Sequence, residues 1–146
     1  MAEDRTYPTR PYAAVGVVVF RGDEVLLVRR GKEPRSNNWS IPGGAQETGE
    51  TVFEAARREL MEETGIDARI TGLIDVIDGI QKDERGRVRM HYTLVDVAAE
   101  WVSGEAAAAD DVAEVRWAKL NALDGEEMWG ETLRVIRLAQ SRREPR

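Results

Sequence analysis

One domain with one sizeable core is what 146 residues, 42% hydrophobic and 33% charged, allow, and no apolar run approaches the ~20 residues that cross a bilayer. Without cysteine, disulfides, zinc–thiolate sites and thiol nucleophiles are excluded. A net charge of −6 argues against a broad surface tracking long nucleic acid, so any phosphate-bearing partner is expected to be small and met through a cation.

Residues 1–11, with Pro8 and Pro11, have little periodicity and read as an irregular arm. Met1 to Arg5 lacks a signal peptide's basic and apolar regions, so a cytoplasmic location away from membranes is expected. Ala13 to Phe20 is an apolar, β-branched run, the pattern of a buried strand. Arg21-Gly22-Asp23 makes the turn, and Glu24 to Arg30 returns as a second strand with Arg30 on the side of Leu26 and Val28. Arg30 closes that strand, an ordinary place for a surface arginine. A polar loop is expected from Gly31 to Asn38, then an extended Trp39-Ser40-Ile41 whose helical option Pro42 removes.

Gly43, Gly44 and Gly49 next predict a glycine-rich loop, because they allow close backbone approaches that a side chain forbids. Thr51 with Glu54 forms a capping box and Gly65 a stop signal, which predicts a helix over about 52–64. Glu59, Glu62 and Glu63 stand at i, i+3 and i+4, so their carboxylates share an arc of roughly 100°. Phe53, Ala56 and Leu60 occupy neighbouring angles and are expected to bury that flank, leaving the acids along the edge of a cleft. Such crowding of negative charge, relieved only by Arg57 and Arg58, opposes folding unless a cation is held there. Oxygen ligands alone suit Mg²⁺ or Mn²⁺ better than zinc. Taken by itself, the helix has a plainer reading as a solvated face with Glu54–Arg58 and Arg58–Glu62 pairs.

Beyond the helix, Ala68 to Ile80 is β-rich and broken by Gly72, which predicts a bent strand pair or one long kinked strand. Gln81 to Arg87 reads as a hairpin loop. Val88 to Val97 alternates, with Met90, Tyr92 and Leu94 opposed to His91, Thr93, Val95 and Val97. His91, the one histidine, sits mid-strand and reads as structural. A loop from Ser103 to Asp111 carries Glu105, Asp110 and Asp111, followed by a short strand, Ala113 to Trp117. Lys119 to Gly125 reads as a turn or short helix, and Glu126 to Gln140 as the second main helix, with a frayed basic tail at 141–146.

Residues 43–66 resemble the Nudix box, G-x5-E-x7-R-E-U-x-E-E-x-G-U with U a bulky aliphatic residue. Every specified position is filled, by Gly44, Glu50, Arg58, Glu59, Leu60, Glu62, Glu63, Gly65 and Ile66. The resemblance implies an α/β (α+β) fold: a single domain built as an α/β/α sandwich, with a mixed sheet and two main helices. The expected element order agrees. It implies metal-dependent hydrolysis of a nucleoside diphosphate linked to another moiety, with Mg²⁺ or Mn²⁺ as cofactor, and a possible homodimer.

Position by position, the resemblance makes Glu59 and Glu63 metal ligands, Glu62 a ligand or general base, and the Gly43 carbonyl a further ligand; Glu59 and Glu62 are then the catalytic acids. Glu50 with Arg58 becomes a buttress of loop on helix. A further acid outside the box is matched to Asp111, with Asp110 and Glu105 as rivals, and Arg30 is placed at the substrate pocket. Short family members with a similar Arg29-to-Arg35 segment point to ADP-ribose or another ADP-sugar. Lys82, where some ADP-ribose hydrolases carry proline, points away from it. A nucleoside triphosphate pyrophosphatase acting on oxidised dNTPs is the alternative. A non-catalytic binding module is the third reading, against which every acid of the box is present.

Overall fold

Alternating apolar residues give the first two strands two buried faces, and the helices cover one face each. In the computed structural model, which describes residues 4–31 and 38–144, β1 (Tyr12–Arg21) and β2 (Glu24–Arg30) form a hairpin whose Gly22 adopts φ 62°. Val15, Val17 and Val19 point to one face with Leu26, and there meet Ala55, Ala56 and Leu60 of α1 (Val52–Thr64). Val18, Phe20, Val25 and Leu27 point to the other and meet Val135, Ile136 and Ala139 of α2 (Gly130–Ser141). Fully burying a side chain such as Leu60 stabilises by about 1.5–3 kcal/mol, so both helices are held chiefly by these contacts. The result is the expected mixed sheet between two helices.

Seven strands make the sheet, in the order β3-β2-β1-β6-β5, with β4 added to β1 and β7 to β2. β3 is Trp39–Ser40, β4 Gly43–Ala45, β5 Asp67–Lys82, β6 Val88–Ser103 and β7 Val112–Lys119. β1 and β6 run parallel, from Tyr12 opposite Tyr92 to Phe20 opposite Glu100. The other pairings are antiparallel. β5 is one long strand, with irregular register at Ile70/Gly72 and Leu73/Asp75, which settles the expected kink near Gly72. No helix among the described residues is long and apolar enough to cross a membrane.

Four expectations need correction. The glycine loop begins as a strand, because Gly43 to Ala45 pairs with Ala14 to Gly16; a Cβ on Gly43 would fall 2.0 Å from the Val15 carbonyl oxygen. Phe53 is exposed, and Ala55 takes its place in the buried stripe of α1. β6 runs on to Ser103, since Ala98, Ala99 and Glu100 pair with β1 on one side and β5 on the other. α2 starts at Gly130 rather than Glu126, after the 3₁₀ turn Leu120–Gly125, and the intervening Glu127 carbonyl accepts a bond from the Trp39 N–H at 2.7 Å. The polar loop expected at 31–38 falls mainly on 32–37; that segment and residues 1–3 and 145–146 lie outside the described residues.

Candidate functional site

α1 is delivered to the sheet edge by strictly local signals. Thr51 accepts from the Glu54 N–H at 3.1 Å and Glu54 accepts from the Thr51 N–H at 2.9 Å, while Gly65 ends the helix at φ 73°. With these ends fixed, Glu59 and Glu63 face the short strand β4. Glu63 is buried: one carboxylate oxygen accepts from the Gly43 N–H at 3.0 Å, and the other from Arg30 Nη1 at 2.8 Å. Arg30 also donates through Nη2 to the Gly43 carbonyl at 3.1 Å. One guanidinium therefore lies between a carboxylate and a carbonyl that the sequence nominates as metal ligands.

Glu59 closes directly on the backbone of β4. A Cβ on Gly44 would lie 2.6 Å from its carboxylate, so glycine is required there for contact. Burial pushes the Glu59 carboxyl above its ordinary range, a hydrogen bond from Arg58 pulls it back, and the charges of Glu63 and Glu62 push it up again. A half-buried carboxylate of this kind invites a cation.

Arg58 organises the opposite side of the same junction. It grips Glu50 twice, at 2.6 Å through Nε and 2.9 Å through Nη2, and donates to the Ala45 carbonyl at 3.0 Å. Its Nη1 reaches Glu59 at 3.0 Å and Glu62 at 3.2 Å. The paired bonds to Glu50 hold the guanidinium more firmly charged than an ordinary arginine and hold the Glu50 carboxyl below the usual range. The effect is to pin the β4 strand and the loop after it to the helix.

The remaining nominees are placed as follows. Glu62 is half-exposed and engaged by Arg58, and it stands outside the lining of the cleft. Asp111 is exposed but lines the cleft; its loop is tied to the end of α1 through Ala107 N–H to the Thr64 carbonyl at 3.0 Å and Ala109 N–H to the Glu63 carbonyl at 3.1 Å. Asp110 and Glu105 are exposed and do not line the cleft, nor does His91. Among the described residues, no three side chains of His, Asp or Glu close on one point tightly enough to enclose a metal unaided. The available donors, Glu59, Glu63 and the Gly43 carbonyl, are all hard oxygens, and a cation from the chain itself already sits among them. That chemistry fits a divalent ion of the Mg²⁺ class.

The cleft, about 840 Å³, runs from these acids across the sheet to the N-terminal end of α2, with Trp39 and Trp129 along it. On its floor lies a residue that the sequence reading missed. Asp96 is only 8% exposed, and burial pushes its carboxyl up to about 6. The available signal was its position: an acid continuing the Met90, Tyr92, Leu94 face of an otherwise apolar strand.

The family model of the NUDIX domain matches residues 10–138. An ADP-ribose pyrophosphatase of Methanocaldococcus jannaschii is 35% identical over 113 residues, 77% of this chain and 64% of the relative. A human 8-oxo-dGDP phosphatase is 36% identical over 75 residues, 51% of this chain and 21% of the relative. The chain thus spans less than two thirds of the length of either relative. Among solved structures, a MutT NUDIX hydrolase of Burkholderia pseudomallei superposes with a TM-score of 0.76 at 26% identity, covering 88% of this chain and 98% of that one.

Proposed function

We propose, from the premise that the chain belongs to the NUDIX domain family, that it hydrolyses a nucleoside diphosphate linked to another moiety, with ADP-ribose or a similar ADP-sugar preferred. The observation that carries this reading is the meeting of the Glu63 carboxylate and Gly43 carbonyl on one guanidinium, with the Glu59 carboxylate beside them. An oxygen cradle that already holds one positive charge is suited to exchange it for another.

In this reading Glu59, Glu63 and the Gly43 carbonyl would hold Mg²⁺ or Mn²⁺, with Glu62 and Asp111 reaching in from the rim. The bound ion would neutralise charge on the phosphoryl oxygens and acidify water. Arg30, displaced from the cradle, turns to a diphosphate oxygen, the contact expected of it from its strand-end position. Glu62, at the rim beside Glu59, remains ligand or general base; as base it would accept the proton of the attacking water as the bridging P–O bond breaks. Glu50 and Arg58 touch no substrate and keep the β4–α1 junction rigid. We place the enzyme in the cytoplasm, acting on small soluble nucleotides.

Similarity to the M. jannaschii protein supports ADP-ribose, and similarity to the human protein supports oxidised nucleotides as the second reading. A panel of ADP-ribose, other ADP-linked compounds, dNTPs and oxidised dGTP, compared by kcat/KM, separates them. ADP-ribose is expected to lead, with activity lost in EDTA and restored by Mg²⁺ or Mn²⁺. A tenfold preference for triphosphates, about 1.4 kcal/mol of transition-state binding, would transfer the assignment to the second reading. Full turnover in EDTA would refute the metal.

A further inference from the structure

Asp96 is a buried carboxylate that nothing in the hydrolytic machinery uses. It lies in β6 between Leu94 and Ala98 on the face shared with α2, where its two same-face neighbours are apolar. Among the described residues its side chain has no hydrogen-bond partner, although it is more than nine-tenths buried. What exposure it keeps opens into the cleft that Glu59 and Glu63 line at the other end. A carboxylate enclosed largely by apolar groups is desolvated at a cost, and a donor brought in through the cleft offsets it.

The space around Asp96 is reserved by its neighbour across the sheet. Gly16 sits opposite it in the parallel β1–β6 pair, and a Cβ there would fall 2.3 Å from Oδ1 of Asp96 and 2.9 Å from Cδ1 of Ile41. Gly16 is also opposite Gly43 in the β1–β4 pair. Asp96 and Gly43 therefore flank the same residue from its two sides, their backbones two strand spacings or about 10 Å apart. The Asp96 side chain leans over Gly16 on the face that packs against α2, whereas Glu63 projects from α1, which covers the other face. That places Asp96 beside the sugar or base of a nucleotide whose diphosphate meets the α1 acids. Ile41, Ile77 and Leu94 line the cleft around this point, with Trp129 at the α2 end, as an apolar ring system would require.

We propose that Asp96 is the specificity residue of this cleft, accepting a hydrogen bond from an N–H or O–H donor on the nucleoside half of the substrate. The inference rests on the nucleotide reading above and deepens it. A charged acceptor aimed at one donor discriminates strongly, because a substrate lacking the donor leaves the carboxylate buried and unpaired.

The test is calorimetric binding with Mg²⁺ to the wild-type chain, Asp96→Ala and Asp96→Asn. The probes are AMP, 2′-deoxy-AMP, purine ribonucleoside 5′-monophosphate (which lacks the amino group) and inorganic pyrophosphate; kcat and KM for ADP-ribose are measured alongside. Asp96→Ala is expected to weaken AMP by about tenfold or more, raise KM rather than lower kcat, and leave pyrophosphate unchanged. If the base amino group is the donor, the purine analogue binds wild type as weakly as AMP binds the variant; if the sugar hydroxyl is, 2′-deoxy-AMP does. Asp96→Asn keeps the shape and one acceptor oxygen, so it is expected to bind AMP better than Asp96→Ala does. An Asp96→Ala variant that is folded by thermal melt and binds AMP as wild type does would overturn the inference. So would equal losses for AMP and pyrophosphate. Wild-type turnover of ADP-ribose with unchanged KM in Asp96→Ala sinks this inference alone, whereas a wild-type chain that binds no nucleotide sinks the functional reading with it.

Discussion

Glu63 and Asp96 are both buried carboxylates in one cleft, and the protein treats them in opposite ways. At the α1 end each oxygen of Glu63 has a donor, the Gly43 N–H on one side and Arg30 on the other. On the sheet floor Asp96 is nearly as enclosed and lacks any hydrogen bond among the described residues. A satisfied acid holds the structure together before any ligand arrives; one without a donor from the chain carries a cost that a ligand's donor relieves. The acid-rich end is thus built for rigidity and the apolar end for recognition.

The sharpest way to break that contrast is Glu63→Gln, which keeps shape while removing charge. A fall in kcat/KM on the order of 10²-fold or more is expected with Mg²⁺, as for loss of a principal electrostatic stabiliser. Glu54→Gln, on the same helix but confined to its cap, should cost about 1 kcal/mol of stability at most and leave turnover alone. Equal effects on turnover would erase the distinction between site and scaffold.

Stability against pH probes the other end. The folded Asp96 carboxyl, at about 6, lies above the ordinary 3.8, first through burial and then through the charge of Asp75, with Arg134 opposing. Above pH 6 the acid is ionised in both states and the folded one carries the penalty. Below that the folded state takes up a proton first, and below 3.8 both are neutral and the penalty is gone. Asp96→Asn should therefore stabilise the nucleotide-free chain by about 3 kcal/mol at most at pH 7, with the gain fading between pH 6 and 4 in thermal melts. A gain independent of pH would show that burial of charge is not the cause.

The smallest effect concerns the guanidinium held between Glu63 and the Gly43 carbonyl. Arg30→Ala should lower the melting temperature in EDTA yet tighten Mn²⁺ binding, followed by electron paramagnetic resonance, by about fivefold, or roughly 1 kcal/mol. Weaker Mn²⁺ binding would mean that Arg30 supports the cation rather than holding its place.

How much of this was legible depends on the range of each signal. Thr51, Glu54 and Gly65 act within one helical turn, and α1 lies where they place it. Gly43 to Ala45 carries no alternation and became a strand only because β1 offered an edge. Phe53 misled because an arc of apolar residues does not reveal which way the helix is turned; the sheet chose Ala55. Asp96 escaped because its meaning lies in Gly16 across the sheet, and no spacing along the chain records that pairing. The family resemblance supplied the roles of the α1 acids and was silent on the floor.

The parallel pairing of β1 with β6 has a consequence for how the molecule forms. It joins Tyr12 to Tyr92, so the loop it closes contains β2, β3, β4, all of α1 and β5 before the floor of the cleft exists. Contacts of such long sequence separation incur their loop-closure entropy before they return any stability, which slows folding. The helix with its acids can take shape early from its own caps, while Gly16 and Asp96 meet only at closure. A chain released partway along this route would display a crowded, uncompensated cluster of carboxylates, and a divalent ion present during refolding would favour the closed form by mass action.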